Sequence, residues 1–157
     1  MKRLILMVLV ALGAVTLNAQ SKMGQSYNFP PVKYLNSELD GSITVRSYGE
    51  GKRRADARTQ ARKNALYAVM FNGIEANGKP IRPLIVEANA LERHETYFGQ
   101  FFADEGPWRE YVSTKDEKFT AKEKTHGNTQ NAFGSVVRVL RLQLKARLVA
   151  DGIIKEN

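Results

Sequence analysis

The 157-residue chain contains no cysteine and only two histidines, His94 and His126. The absence of cysteine excludes disulfide bonds, thiol nucleophiles, thiolate metal sites and attachment through a lipidated cysteine. On a helix, a metal-binding histidine needs a second ligand three or four residues away, and neither Leu91 nor Phe98 can serve His94 in this way. We therefore expect no metal site, and we interpret His126 as a solvated loop residue.

Side chains arranged for catalysis are also scarce. No serine lies in a nucleophile-elbow pattern, and the carboxylates of Glu92 and Glu95 are more typical of a solvated helix face than of an acid pair. A nucleotide-binding turn is excluded because Arg54 stands where its third glycine is required. We predict a non-enzymatic protein with no catalytic residues and no cofactor. An enzyme would instead require the fold to place His94 beside a carboxylate in a cleft.

Only one long hydrophobic run is present, and it lies at the N-terminus. Lys2 and Arg3 precede an almost purely apolar stretch from Leu4 to Leu17, and small residues follow, ending at Ala19. This order is typical of a secretory signal peptide, and about 14 apolar residues are too few for a membrane span, which needs roughly 20. We predict residues 1–19 to be a cleaved signal peptide of a Gram-negative bacterium, with no transmembrane span after cleavage. The protein would then act in the periplasm or at the cell surface.

The charge balance is basic, with 24 Lys and Arg against 16 Asp and Glu, a formal net charge of +8. Loss of Lys2 and Arg3 would leave 22 basic against 16 acidic residues, or +6. A positive surface favours anionic partners such as phosphorylated lipids or glycans. Nucleic acid is not expected as a partner of an exported protein, and solubility alone would also explain the charge.

The first half of the mature chain predicts a strand followed by a long helix. Residues 20–40 have no strand or helix period and are interpreted as an extended lead-in that ends at the Asp40-Gly41 turn. Residues 43–48 alternate between apolar and polar, as a half-buried strand does. The helix is predicted over 53–72, with Gly73 just past its end. Its apolar face should carry five small or branched residues, while Tyr67 faces solvent: Ala57, Ala61, Ala65, Ala68 and Val69.

The second half predicts a short strand, a helix and a long hairpin of two strands. We expect a loop over 76–83, a short strand over 83–86, a second helix over 88–103 and a strand over 108–125. A turn at 127–131 should lead to a final strand that continues through the strict alternation of Leu140 to Leu148, with a bulge near Val139-Leu140. The predicted fold is a single α+β domain over 41–157. Its mostly antiparallel sheet, with a long C-terminal β-hairpin, packs against one long alanine-spaced helix and a second shorter helix.

Two surfaces are candidates for binding. Arg54, Arg58 and Arg62 are spaced by four and form one cationic ridge on the long helix. With the free N–H groups of the helix start, the ridge could hold an anion. Alternatively, it could border the core, with the arginine stems lying along its edge. The second candidate is an apolar partner-binding patch at a helix end, formed by four aromatic residues: Phe98, Phe101, Phe102 and Trp108.

The order strand, Gly49-Glu50-Gly51, then a helix with alanines at 57, 61 and 65 resembles a known family. It is similar to the small α/β domain of the LPP20-type envelope lipoproteins and to the N-terminal domain of the flagellar T-ring protein. Those domains finish with long alternating strands, as residues 136–149 do here. The resemblance covers about a third of the mature chain, and the lipidation cysteine of the lipoproteins is missing. It implies an envelope protein that associates with a larger assembly, and it transfers no catalytic residue.

Overall fold

The computed structural model describes residues 31–126 and 131–156. The predicted signal peptide, most of the lead-in and most of the turn at 127–131 lie outside these residues. The described chain is a mixed α+β domain with an antiparallel sheet, which confirms the predicted fold class.

The described residues contain six strands and four α-helices, with one π-helical and one 3₁₀ segment. The strands are β1 (Lys33–Ser37), β2 (Ile43–Glu50), β3 (Ile74–Ala76), β4 (Lys79–Ile81), β5 (Val112–His126) and β6 (Asn131–Val139). The helices are α1 (Arg54–Tyr67), α2 (Ala90–Arg93), α3 (Glu95–Phe101) and α4 (Arg141–Ala150). The π-helical segment is Ala68–Asn72, and the 3₁₀ segment is Pro107–Tyr111.

The main sheet has the strand order β1-β2-β6-β5, and every neighbouring pair is antiparallel. β2 alternates buried and half-buried residues along its whole length, which confirms the strand predicted there. The predicted hairpin also forms, between β5 and β6. β5 has 15 residues and β6 has nine, and the difference is taken up by two irregularities in β5.

The chain before β2 adds a strand that the sequence did not predict. β1 pairs with β2 in a register that shifts between Tyr34 and Asn36. The connection to β2 is the predicted turn, in which Gly41 has a φ of 75°. A bulged strand of five residues with one half-buried position carries too little alternation to be recognised from sequence.

The long helix forms where it was predicted, but its last turn is π-helical and therefore wider than an α-helical turn. α1 is followed directly by the π-helical segment, so the helical stretch spans 54–72. Its predicted apolar face is buried against the sheet, with Ala57, Ala61 and Ala65 fully inaccessible. The prediction for Tyr67 was wrong, because its ring is buried and packs against Phe71.

Glycine allows α1 to lie unusually close to β2. A Cβ atom at Gly49 would be 2.1 Å from the carbonyl oxygen of Ala57 and 2.4 Å from the backbone nitrogen of Ala61. Asn64, also buried, donates a 2.8 Å hydrogen bond from its side chain to the carbonyl oxygen of Tyr48. The helix is therefore held against the strand by backbone contact and by one buried amide.

The π-helical segment organises the chain that follows it. The N–H groups of Leu84 and Ile85 donate to the carbonyl oxygens of Val69 and Met70 at 3.1 and 2.8 Å. Leu84 and Ile85 are buried, but residues 83–86 form no strand, so the strand predicted there was wrong. The apolar run is explained by burial against a helix instead of by sheet pairing.

A short hairpin replaces the loop that was predicted over 76–83. β3 and β4 are joined by Asn77 and Gly78, whose φ angles are 51° and 77°. Positive φ at both central residues is what a type I′ hairpin turn requires, and Asn-Gly is its strongest sequence signal.

The predicted second helix is present in two pieces. α2 and α3 are separated at His94, whose φ of −118° lies outside the helical range. The 3₁₀ segment then occupies the start of the strand predicted over 108–125, and β5 begins at Val112.

The prediction for the last element was wrong. Residues 141–150 form helix α4, and β6 ends at Val139. The change of phase near Val139-Leu140 is therefore a strand–helix boundary and not a bulge. Leucine, arginine, glutamine, lysine and alanine all favour helices, and this propensity prevails over the alternating pattern. Arg141, Lys145 and Arg147 consequently lie on a helix and not on the polar face of a strand.

We predict that Gly49→Ala strongly destabilises the protein, because its methyl group would collide with the α1 backbone. The free energy of unfolding should fall by about 3 kcal/mol, at the upper end for overpacked sites. Gly99→Ala is the matched control, because nothing lies within 4 Å of its added methyl group. It should leave stability unchanged or raise it by up to about 1 kcal/mol. Urea unfolding measures both, and equal effects would contradict the close-packing argument.

Candidate functional site

The four aromatic residues predicted as a partner-binding patch lie in the core. Each of the four is at most 3% exposed to solvent: Phe98, Phe101, Phe102 and Trp108. They belong to the main hydrophobic cluster, so none offers an apolar surface to a partner. The spacing of these residues correctly predicted an inward face, but the sequence does not show that this face is covered.

The aromatic core ends at a tryptophan flanked by cations. Trp108 donates a 2.8 Å hydrogen bond from its indole nitrogen to the carbonyl oxygen of Ala103. The ammonium nitrogen of Lys63 lies 5.5 Å from the ring centroid, and the guanidinium carbon of Arg109 lies 5.6 Å from it. Lys63 also forms a 3.0 Å ion pair with Asp104. These contacts join α1 to the loop before the 3₁₀ segment. They give Trp108 a structural role at the edge of the core.

The three arginines of the ridge differ in their exposure to solvent. Arg54 is exposed, whereas Arg58 and Arg62 are half-buried and make interactions of their own. The ridge is therefore present as predicted, with its exposed end at the start of α1. Lys52 and Arg53 are also exposed there, which gives three consecutive cations.

The start of α1 is closed by its own residues. The carboxylate of Asp56 accepts a 3.2 Å hydrogen bond from the backbone N–H of Arg53. A Cβ atom at Gly51 would lie 2.7 Å from the Cβ of Asp56 and 2.6 Å from the backbone nitrogen of Ala57. Since an acidic side chain and the glycine backbone occupy this end, the predicted use of free helix N–H groups for an anion is not supported.

A polar cluster of Tyr97, Tyr111, Arg147 and Asp151 fixes α4 to the rest of the domain. The Tyr97 hydroxyl donates to Asp151 Oδ2 at 2.7 Å, and Arg147 Nε donates to the same oxygen at 2.6 Å. Two elements distant in sequence, α3 and the end of α4, therefore share one carboxylate.

The pKa values of Tyr97, Arg147 and Asp151 are shifted in the directions that these contacts require. Burial and the hydrogen bond to Asp151 raise the pKa of Tyr97. Burial alone would raise the pKa of Asp151, but hydrogen bonds from Tyr97 and Arg147 outweigh it and lower that pKa. Hydrogen bonding to Asp151 and to Tyr111 raises the pKa of Arg147. All these groups are stabilised in their ordinary charge states, which fits a structural role and not proton transfer.

A second polar cluster holds the turn between β1 and β2. Arg138 of β6 donates from Nε to Ser42 Oγ at 2.7 Å and from a terminal nitrogen to Asp40 Oδ2 at 2.8 Å. The backbone N–H of Ser42 donates to Asp40 Oδ1 at 2.9 Å. The Ser42 hydrogen bonds, aided by the charge of Arg138, hold the pKa of Asp40 below its ordinary value.

The remaining chemical candidates are not brought together in the described residues. His94 is half-buried and its ring meets Phe98 edge-on at 6.4 Å between centroids, while Glu92 and Glu95 are exposed. Within residues 31–126 and 131–156, no group of three or more His, Cys, Asp or Glu side chains could hold a metal ion. The side chain of His126 is outside what the structure describes.

Sequence reasoning missed the exposed leucines around the β1–β2 turn. Leu39 is fully exposed, and Leu142 of α4 remains 53% exposed although it packs directly over Gly41. A leucine immediately before an Asp-Gly turn is the signal that could have identified Leu39. Leu142 could not be found, because the strand predicted there placed it on the buried face.

No helix in the described part of the chain is both long and apolar enough to cross a membrane. No protein-family model matches the chain, and searches of curated proteins and of solved structures find no match. The resemblance to the LPP20-type and T-ring domains therefore stays a prediction.

We predict that the Tyr97–Asp151–Arg147 cluster stabilises the protein above acidic pH. The folded pKa of Asp151 is below its unfolded value, so its contribution is fully present above about pH 4 and is lost as pH falls through the folded pKa. Tyr97→Phe should lower the free energy of unfolding at pH 7 by about 1 kcal/mol, the usual effect of losing one hydrogen bond.

Urea unfolding at pH 7 and pH 3 tests this. Asp151→Asn should lower stability at pH 7 and reduce the difference between the two pH values. Glu105→Gln is the control, because the carboxylate of Glu105 is 85% exposed in its ion pair with Arg109 and should contribute little. An unchanged pH dependence in Asp151→Asn would contradict the assignment.

Proposed function

We propose that this chain is a non-enzymatic, exported protein of the bacterial envelope that acts as an interaction or accessory module in a larger assembly. The observation that supports this most is the exposure of two leucines, Leu39 and Leu142, on a domain whose aromatic cluster of Phe98, Phe101, Phe102 and Trp108 is buried. Exposed apolar side chains grouped in one region are typical of contact surfaces, whereas single scattered ones are ordinary. Leu39 and Leu142 both lie at the β1–β2 turn, because Leu142 packs over Gly41. The signal-like N-terminus and the family resemblance support the location.

The polar clusters support a non-enzymatic role. Asp40 and Arg138 fix the β1–β2 turn, and Asp151 and Arg147 fix α4. In both clusters the acid is paired with a guanidinium, and its pKa is lowered. A general acid or base at neutral pH would need the opposite shift.

A second candidate function is binding of an anionic envelope ligand, a phosphorylated lipid or a glycan. The observation that favours it is the exposed run Lys52-Arg53-Arg54, continued along α1 by Arg58 and Arg62. Because exposed charges are screened by salt, such binding should weaken steeply between low and high ionic strength.

Crosslinking in cells followed by capture from the envelope fraction separates the two functions. The wild type is compared with the triple variant Arg54→Glu, Arg58→Glu, Arg62→Glu. We expect both forms to recover the same defined protein partner in similar yield. Recovery of lipid or glycan by the wild type alone would instead favour the anionic ligand, and recovery of nothing by either form would contradict both functions.

A matched variant controls for folding. Lys52→Glu, Arg53→Glu, Arg54→Glu makes the same change in charge but touches only exposed residues. If it retains the partner while the ridge variant loses both the partner and its circular dichroism signal, the loss reflects unfolding. If both folded variants lose the same protein partner, the basic surface belongs to the contact.

A further inference from the structure

Helix α4 carries two apolar stripes, of which only one is fully buried within the described part of the chain. Leu144 and Leu148 point inward and are fully buried. Leu142, Ala146 and Val149 recur at the i, i+4, i+7 spacing and fall within about 60° of each other on the opposite side of the helix. Leu142 and Ala146 are exposed and Val149 is half-buried. The alternation of the sequence arises from these two stripes and not from a strand.

The outer stripe has the form of a helix-docking face. An apolar row at this spacing is what a helix presents to a neighbouring helix or groove. Among the described residues, Leu142 touches Gly41, yet about half of its side chain remains in solvent. The fully exposed Leu39 lies two residues before Gly41 in the chain.

The charges beside the stripe restrict what can cover it. α4 contains no acidic residue. Lys145 lies on one flank of the stripe, and Arg141 lies farther round on the same side, next to the buried leucines. Arg147 on the other side is paired with Asp151. Half-buried Arg141 donates to the carbonyl oxygen of Arg82, and burial lowers its pKa, so a nearby anion would favour its charged form.

A second copy of this chain fits the stripe poorly. In an antiparallel pair of identical helices related by a two-fold axis, each flank faces its own counterpart. Lys145 would then lie opposite the same lysine of the other copy, and like charges brought together across an interface are destabilising. A partner with carboxylates on that flank would convert the repulsion into attraction.

We infer that the outer face of α4, formed by Leu142, Ala146 and Val149, docks an amphipathic helix of a protein partner whose apolar stripe is flanked by Asp or Glu. The inference rests on the proposed role as an interaction module and identifies its contact surface. The positive end of the α4 dipole, which lies beside Leu142, also favours acidic residues there.

Site-specific photocrosslinking of the full-length protein in the cells that make it tests this inference. A photoreactive amino acid replaces Leu142, and, as a matched control, replaces Val86, which is 82% exposed and lies outside α4. Position 142 should give a discrete protein adduct that position 86 does not give. Sequencing of the adduct should place the link in an amphipathic helix with carboxylates beside its apolar stripe.

Charge reversal makes the test specific. With the crosslinker at position 142, Lys145→Glu should reduce the adduct about fivefold, the upper range for one exposed ion pair. Reversal of the facing carboxylate to lysine in the partner should restore the adduct. Circular dichroism of the Lys145→Glu variant checks that the fold is kept.

Four outcomes would overturn the inference. These are an adduct with a second copy of the chain, an adduct with lipid, equal adducts from positions 142 and 86, or no response to Lys145→Glu in the folded protein. If the capture experiment recovers a partner that position 142 does not crosslink, the interaction function stands and this face is rejected. If neither experiment recovers a partner, the proposed function fails as well.

Discussion

The contact between helix α1 and strand β2 at Gly49 determines the arrangement of the domain. Here the helix backbone lies where a side chain would stand at any other residue type. Ala57 and Ala61 keep the facing side of the helix equally short. Close approach of this kind maximises dispersion contacts between backbones, but it leaves no space for adjustment. The positions of the π-helical segment and of the buried residues 84–85 follow from where α1 ends.

The same contact explains why this part of the fold could be predicted from sequence. Two local patterns repeat often enough to be unambiguous. The alternation in β2 excludes a helix, and the alanine at every fourth residue in α1 excludes a strand. Gly49 and Gly51 mark the connection between them. The sequence could not show that Gly49 itself faces the helix, because its role depends on a partner eight residues away along the chain.

α4 shows where such patterns fail. A helix with apolar residues on two opposite sides can mimic the period of a strand, and only the helix-forming composition of 141–150 argues otherwise. Phe98 and Phe101 show a related limit: amphipathic spacing finds the apolar face but not whether another element covers it.

For the candidate site, the arginine ridge was placed correctly on α1. The closure of the helix start by Asp56 and the exposure of Leu142 depend on tertiary contacts, so the sequence did not reveal them.

Strand β5 has a bearing on how this domain can assemble. It forms one of the two edges of the described sheet, β1 being the other. It departs twice from regular pairing with β6, and it carries four lysines: Lys115, Lys118, Lys122 and Lys124. Bulges and lysines on an edge strand hinder the addition of a further strand. The β5 edge is therefore poorly suited to extend the sheet by backbone pairing, even at high local concentration. Recognition through side chains on the helical surfaces allows a defined stoichiometry, whereas an open sheet edge would permit indefinite polymerisation.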